Sequence, residues 1–191
     1  MVSSVNAYLV FLGLTAVERG VELALSRRNG RIAFSRGARE YGRAHFRFMA
    51  AFHSAFLVSC AAEVTLLHRP FPGLLGAGAL VGAIAAQLLR YWAISTLGKR
   101  WNVRIIAVPG EGPITAGPYR FIRHPNYLAV ATEIACVPLI HGCWLTAIFF
   151  SIGNAVLLRT RIRAEEEALG KAYAAAFGDR PRFLPRLHRG A

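Results

Sequence analysis

The stretch YLAVATEIACVPLIHGCWLTAIFFSIGNAVLL, residues 127–158, decides how this chain folds. It is too long for one bilayer-crossing helix, which needs about 20 apolar residues, and short for two. Pro138, His141 and Gly142 lie near its middle. Proline and glycine interrupt helices, so the stretch reads as a tight helical hairpin. Outward from it, the apolar segments 5–25, 46–67 and 74–94 each fit a single span. The predicted fold class is therefore all-α: an integral membrane helical protein with five transmembrane segments, the last two a tight hairpin. Composition agrees. The 191 residues are 54% hydrophobic and the mean hydropathy is +0.38, both high for a soluble protein.

Charge sets the expected orientation. Lysine and arginine number 23 against 10 acidic residues, a net charge of +13. A basic chain can bind nucleic acid. Here, however, the basic residues lie in the gaps between apolar segments, where membrane topology accounts for them. Arg27, Arg28, Arg31, Arg36, Arg39 and Arg43 follow the first segment, whereas residues 68–73 carry only Arg69. Lys99, Arg100, Arg104, Arg120 and Arg123 follow the third, and Arg159, Arg161, Arg163 and Lys171 follow the hairpin. This alternation predicts an N-terminus outside and a C-terminus in the cytosol. Cys60, Cys136 and Cys143 fall inside apolar stretches without CxxC spacing, so neither a disulfide framework nor a metal site is expected. The N-terminus lacks a basic n-region and a cleavage site, so the first segment is expected to be retained.

Two polar clusters flank the hairpin on its expected cytosolic side: GPYRFIRHPNY, residues 117–127, and RTRIRAEEEAL, residues 159–169. In the first, Pro125 suits the opening turn of a helix and His124 its cap. Free N–H groups and the helix dipole there favour an anion. Arg123 adds charge, and His124 and Tyr127 supply hydrogen bonds. The same residues also make an ordinary capped helix start with an interfacial tyrosine anchor. In the second, Arg161 and Glu165 are four apart and share a helix face. They form either a ligand site for hydroxyls and oxyanions, or a snorkelling basic collar followed by a solvated acidic turn.

A third stretch, QLLRYWAISTLGKRWN, residues 87–102, puts Gln87, Arg90 and Tyr91 near the cytosolic end of a membrane helix. Polar groups at that depth face protein or a cavity, or snorkel to headgroups. Glu18, Arg19, Glu22, His53, Glu63, Glu133 and His141 lie deeper, where each is a functional or a paired structural residue. Residues 98–117 read as an extended flap with a β-prone run at 103–108. Residues 164–177 read as an amphipathic surface helix ended by PRFLPRL. There is no GxGxxG, GxxxxGK[ST], HExxH or GxSxG, so a nucleotide-like cofactor would bind without a Rossmann fold.

RHPNY followed by a hairpin and then an arginine with EExxL (Glu165, Glu166, Ala168, Leu169) resembles the isoprenylcysteine carboxyl methyltransferase family, over roughly residues 87–187. The resemblance implies an S-adenosylmethionine-dependent membrane O-methyltransferase. Residues 1–97 would then form a three-helix membrane region, and residues 98–191 the cofactor-binding catalytic region. It implies that Tyr119, Arg123, His124, Pro125, Tyr127 and Glu165 bind S-adenosyl-L-methionine, and Gln87 on the pocket wall is read as a cofactor-binding residue beside them. Arg161 and Glu165 would be catalytic, and Arg90, Tyr91 and Trp101 would meet the acceptor. The tail departs from the family pattern: Tyr173, Ala174 and Phe177 stand where family members carry Phe-Gly and spaced tyrosines, and GDRPRFLP is compressed.

A narrower resemblance runs through LRYWAISTLGKRWNVRI, the RHPNY loop and residues 135–169. It is to bacterial members encoded beside type III polyketide synthases. It implies methylation of a ring hydroxyl on a long-chain alkylpyrone or alkylresorcinol, a lipophilic acceptor within the membrane. It further implies such a synthase as supplier, and a site facing the cytosol at the bacterial plasma membrane. Carboxyl methylation of a prenylated cysteine and a non-catalytic module binding lipid headgroups are the alternatives.

Overall fold

The computed structural model describes residues 2–183. Five helices carry the fold: α1 (Val2–Phe34), α2 (Arg43–Leu66), α3 (Leu74–Leu97), α4 (Pro125–Leu139) and α5 (Trp144–Phe177). The described residues are all-helical apart from one small sheet. In it β1 (Arg39–Tyr41) pairs antiparallel with β2 (Ile105–Ala107), Glu40 opposite Ile106. β2 lies in the β-prone run of the flap. Its partner β1 carries no strand pattern in the sequence.

The expected hairpin forms, but asymmetrically. Pro138 sits inside the last turn of α4 instead of ending it, and the reversal falls at Gly142, with φ 66°. The Cys143 N–H then bonds the Pro138 carbonyl at 3.0 Å. At a rise of 1.5 Å per residue, the 15 residues of α4 reach about 22 Å, and the 34 of α5 about 51 Å. The segment read as a separate surface helix is thus continuous with α5, bent at Gly170 (φ 65°, ψ −153°). Three stretches are long and apolar enough to cross a membrane: His45–Leu66, Leu74–Arg100 and Trp144–Phe177. Glu18, Arg19 and Glu22 interrupt the hydropathy of α1, and α4 is short, so neither joins them on length and composition.

Small residues let α3 lie close along α4. Gly76, Ala79, Ala83, Ala86 and Ala93 form its buried face. A Cβ on Gly76 would stand 2.7 Å from the Ile140 carbonyl. Tyr8 and Leu12 of α1, Phe56 and Val64 of α2 and Phe150 of α5 complete the main apolar core. Glu63 of α2 caps α5: it accepts from Leu145 N–H at 3.2 Å and from Thr146 N–H at 2.7 Å, and pairs with Arg69 at 3.0 Å. A carboxylate there satisfies free amides and complements the helix dipole, so deep Glu63 has a structural role.

Candidate active site

α4 and α5 run antiparallel, so the first turn of α4 lies beside residues 158–166 of α5. This places the two polar motifs together. Tyr127 donates its hydroxyl to Glu165 and accepts from Arg161 Nε at 2.9 Å. The Arg161 guanidinium also lies over the Tyr127 ring, 5.7 Å from its centroid. Arg161 is only 5% exposed. Its Nη2 donates to the Val103 carbonyl, and its Nη1 meets only the weak acceptor Met49 Sδ, at 3.6 Å. Among the described residues no carboxylate pairs with it directly, and the Tyr127 hydroxyl relays it to Glu165. A buried guanidinium with donors in hand suits a developing negative charge.

The flap that brings Val103 to Arg161 is tied to the end of α1. Ser26 donates to Asn102 Oδ1 at 2.7 Å, Asn102 Nδ2 returns a bond to the Ser26 carbonyl at 2.9 Å, and Asn29 donates to the Trp101 carbonyl at 2.8 Å. Ser26 and Asn29 lie three apart on one helix face; that spacing was their only signal in the sequence.

His124 is buried and donates through Nε2 to Glu166 at 3.1 Å. Its ring stacks on Tyr127 at 5.3 Å and meets Tyr173 at 6.1 Å. Tyr119, Tyr173 and Phe177 form an aromatic wall with Ala93. Burial, with the nearby charge of Glu165, pushes the Tyr119 phenol up and keeps it neutral.

Residues 178–182 lie as a strap across the RHPNY loop. Arg123 N–H bonds the Pro181 carbonyl at 3.0 Å and His124 N–H the Arg182 carbonyl at 3.1 Å. Arg123 Nε donates to the Arg180 carbonyl at 2.6 Å and Nη2 to Gly178 at 3.0 Å. Arg182 closes the strap on Glu166 at 2.7 Å. The Arg123 and His124 amides just ahead of α4 are thus taken by the tail's carbonyls, while the Tyr127 and Leu128 amides turn back to the His124 carbonyl. Glu166, Tyr173, Arg180 and Arg182 were not singled out in the sequence, because only the return of the tail gives them partners.

A cavity of about 1070 Å³ runs from this cluster into the helix bundle. Tyr119, Arg123, His124, Tyr127, Arg161 and Glu165 line one end. Gln87, Arg90 and Trp101 also reach it, whereas Tyr91 and Pro125 do not line it. Trp101 is buried, and Tyr91 is half exposed on the outer side of α3. The deeper wall holds an ion network. Arg90 grips Glu133 with Nε at 3.2 Å and with Nη2, and lies 3.7 Å from Glu22. Arg19 pairs with Glu22 at 2.9 Å and donates to Gln87 at 3.1 Å. Gln87 and Tyr91 both donate to Glu18. The snorkelling alternative for Arg90 therefore does not apply, since it points inward to Glu133.

The residues fit S-adenosylmethionine. A buried aromatic wall suits its adenine, and a carboxylate at Glu165 suits its hydroxyls and cationic groups. Asn126 lines the same cavity with a buried Oδ1 that has no partner among the described residues, an acceptor that needs a donor.

The sequence profile of the isoprenylcysteine carboxyl methyltransferase family matches residues 79–171, a range that holds both motifs and the hairpin. The chain is 39% identical over 163 residues to the Bacillus subtilis uncharacterized protein YpbQ, covering 85% of this chain and 96% of that one. It is 25% identical over 158 residues to an uncharacterized protein of Haemophilus influenzae, covering 81% and 90%.

Proposed function

The chain belongs to the isoprenylcysteine carboxyl methyltransferase family, a family of membrane methyltransferases that use S-adenosylmethionine, and on that premise we propose that it methylates a ring hydroxyl of a long-chain alkylpyrone or alkylresorcinol. The observation that carries the proposal is the buried Arg161–Tyr127–Glu165 cluster at the head of a cavity that continues between membrane helices. When bound, S-adenosylmethionine supplies a methyl group on a positively charged sulfur.

The chain's own residues do the rest. Tyr119, Tyr173 and Phe177 offer ring faces for the adenine. Glu165, Asn126 and His124 hold its polar groups. Arg161 Nη1, without a strong acceptor, holds the acceptor oxygen as an oxyanion, and a phenol or enol is acidic enough to need little more. Glu165 shares the Tyr127 proton and can take one from the acceptor hydroxyl through it. The flap walls the cavity, and the strap holds the RHPNY loop in place. The acceptor's alkyl chain lies in the cavity between Phe11, Ile84, Val130 and Val137, at about 0.8 kcal/mol per buried methylene.

Residues 98–191 form the catalytic region of this reading, and residues 1–97 supply the deep wall and anchor the flap. We place all five helices across the bacterial plasma membrane, with α1 neutralised by its ion pairs and α4 inserted as the short arm of the hairpin. The site then faces the cytosol. A type III polyketide synthase is the proposed supplier of acceptor.

The test is calorimetry with S-adenosylmethionine on the purified chain, followed by methyl transfer to an alkylresorcinol, an alkylpyrone and a farnesylcysteine analogue. Binding that weakens about tenfold or more in Glu165→Ala, with faster transfer to a ring hydroxyl, is expected. Unchanged affinity in both His124→Ala and Glu165→Ala removes the site. Faster transfer to the farnesylcysteine analogue removes the acceptor assignment.

A further inference from the structure

The outer face of the α4–α5 hairpin carries a second cleft, of about 520 Å³, that the methyl-transfer site does not use. Ala131 and Ala135 lie one turn apart on its α4 side. On its α5 side, Ser151, Ala155, Arg159 and Arg163 follow one another at four-residue steps along a single face. The small side chains give the cleft its depth. Ile152 and Val156 beside it are exposed at 64% and 63%, so this face looks toward lipid. In the proposed orientation the arginine half sits at the cytosolic end of the same line.

The mouth is positively charged. Arg159 and Arg163 are exposed and have no acidic partner among the described residues, while Arg182, on the tail wall, is paired with Glu166. The floor has an unmet polar group. Asn154 is 2% exposed, and its side chain makes no hydrogen bond among the described residues. It lies five residues before Arg159, about 7.5 Å deeper along the helix.

We propose that this cleft binds one anionic glycerophospholipid. Its phosphate meets Arg159 and Arg163, its glycerol ester lies at the depth of Asn154, and one acyl chain fills the channel over Ala131, Ala135 and Ala155. Guanidinium forks match phosphate oxygens. The ester carbonyl accepts from Asn154 Nδ2, the donor end of an amide that hydrocarbon leaves unsatisfied. Charge complementarity favours this occupant over a second copy, because a two-fold contact would set the arginines of one copy against those of the other. Since Arg182 borders the cleft and also holds Glu166, a lipid seated there also holds the strap against the RHPNY loop. The proposal stands apart from methyl transfer and can fail without it.

The test uses the full chain, purified in mild detergent and exposed to mixed vesicles of dioleoylphosphatidylglycerol and dioleoylphosphatidylethanolamine. Native mass spectrometry then counts retained lipid. One phosphatidylglycerol per chain is expected, preferred at least about tenfold over the zwitterionic lipid. Arg159→Gln with Arg163→Gln should abolish the preference. Ala155→Phe should abolish retention with the charges intact, and S-adenosylmethionine affinity should persist in both. Equal retention of the two lipids by the wild-type chain overturns the proposal. So does retention that survives Ala155→Phe, or a dimer that Ala155→Phe dissolves. Should the variants fail to fold, the wild-type chain still decides. Phosphatidylglycerol must raise its unfolding midpoint and protect residues 178–183 from hydrogen exchange, and glycerol phosphate alone must do neither.

Discussion

Arg161 Nε donates to the Tyr127 hydroxyl at 2.9 Å, joining α5 to the first turn of α4 across 34 positions of sequence. The phenol stands between a buried cation and the Glu165 carboxylate, accepting from one and donating to the other. Each motif alone has an ordinary structural reading. Their meeting at the head of a cavity does not follow from either.

Tyr127→Phe removes that hydroxyl and keeps the ring. A hydrogen bond to a charged group is worth about 1.5–3 kcal/mol, so turnover should fall about tenfold to a hundredfold. The ring stack on His124 should survive, and the unfolding midpoint should move little. Unaltered turnover of labelled methyl transfer would detach Tyr127 from the chemistry.

Arg123→Lys keeps the charge but loses the fork that reaches both the Arg180 and Gly178 carbonyls. Hydrogen exchange in residues 178–183 should quicken, and S-adenosylmethionine should dissociate several-fold faster. Exchange rates identical to wild type would show that the strap is held by other contacts.

Arg90→Met takes from Glu133 the guanidinium that grips both its oxygens and leaves Glu22 with Arg19 alone. Removing one member of a buried pair costs about 3–5 kcal/mol, a fall on the order of 10 °C in the unfolding midpoint for a chain of this size. Adding Glu133→Leu should restore much of it, because the unpaired carboxylate is then gone. No recovery in the double variant would mean that the network has a role beyond mutual neutralisation.

The proposed orientation places both chain motifs on the cytosolic side. Reporter fusions read it out: a periplasm-dependent phosphatase should be active at the N-terminus or in the loop at 68–73, and silent at the C-terminus. An active C-terminal fusion reverses the positive-charge argument and the access route for the cofactor.

The composition and the spacing of apolar segments were enough to make this chain all-helical and membrane-embedded. Hydrocarbon leaves a buried backbone few options, and long apolar runs satisfy it by coiling. The hairpin was legible because Gly142 permits the left-handed turn that closes it. The RHPNY and EExxL motifs were legible as a pair because they flank that hairpin, and antiparallel packing must bring its two open ends together. What stayed hidden depends on contacts between distant residues. Nothing local marks Arg39–Tyr41 as a strand, since its ladder exists only where the flap arrives. Arg123 stands in the sequence as a cation with no visible partner, and only the return of the tail gives its guanidinium the Arg180 and Gly178 carbonyls. Glu63 reads as either a functional or a paired structural carboxylate until the start of α5 is set on it. Hydropathy acts along the chain and is fixed by sequence. The partner of a buried charge is chosen by packing, and only the tertiary structure decides it.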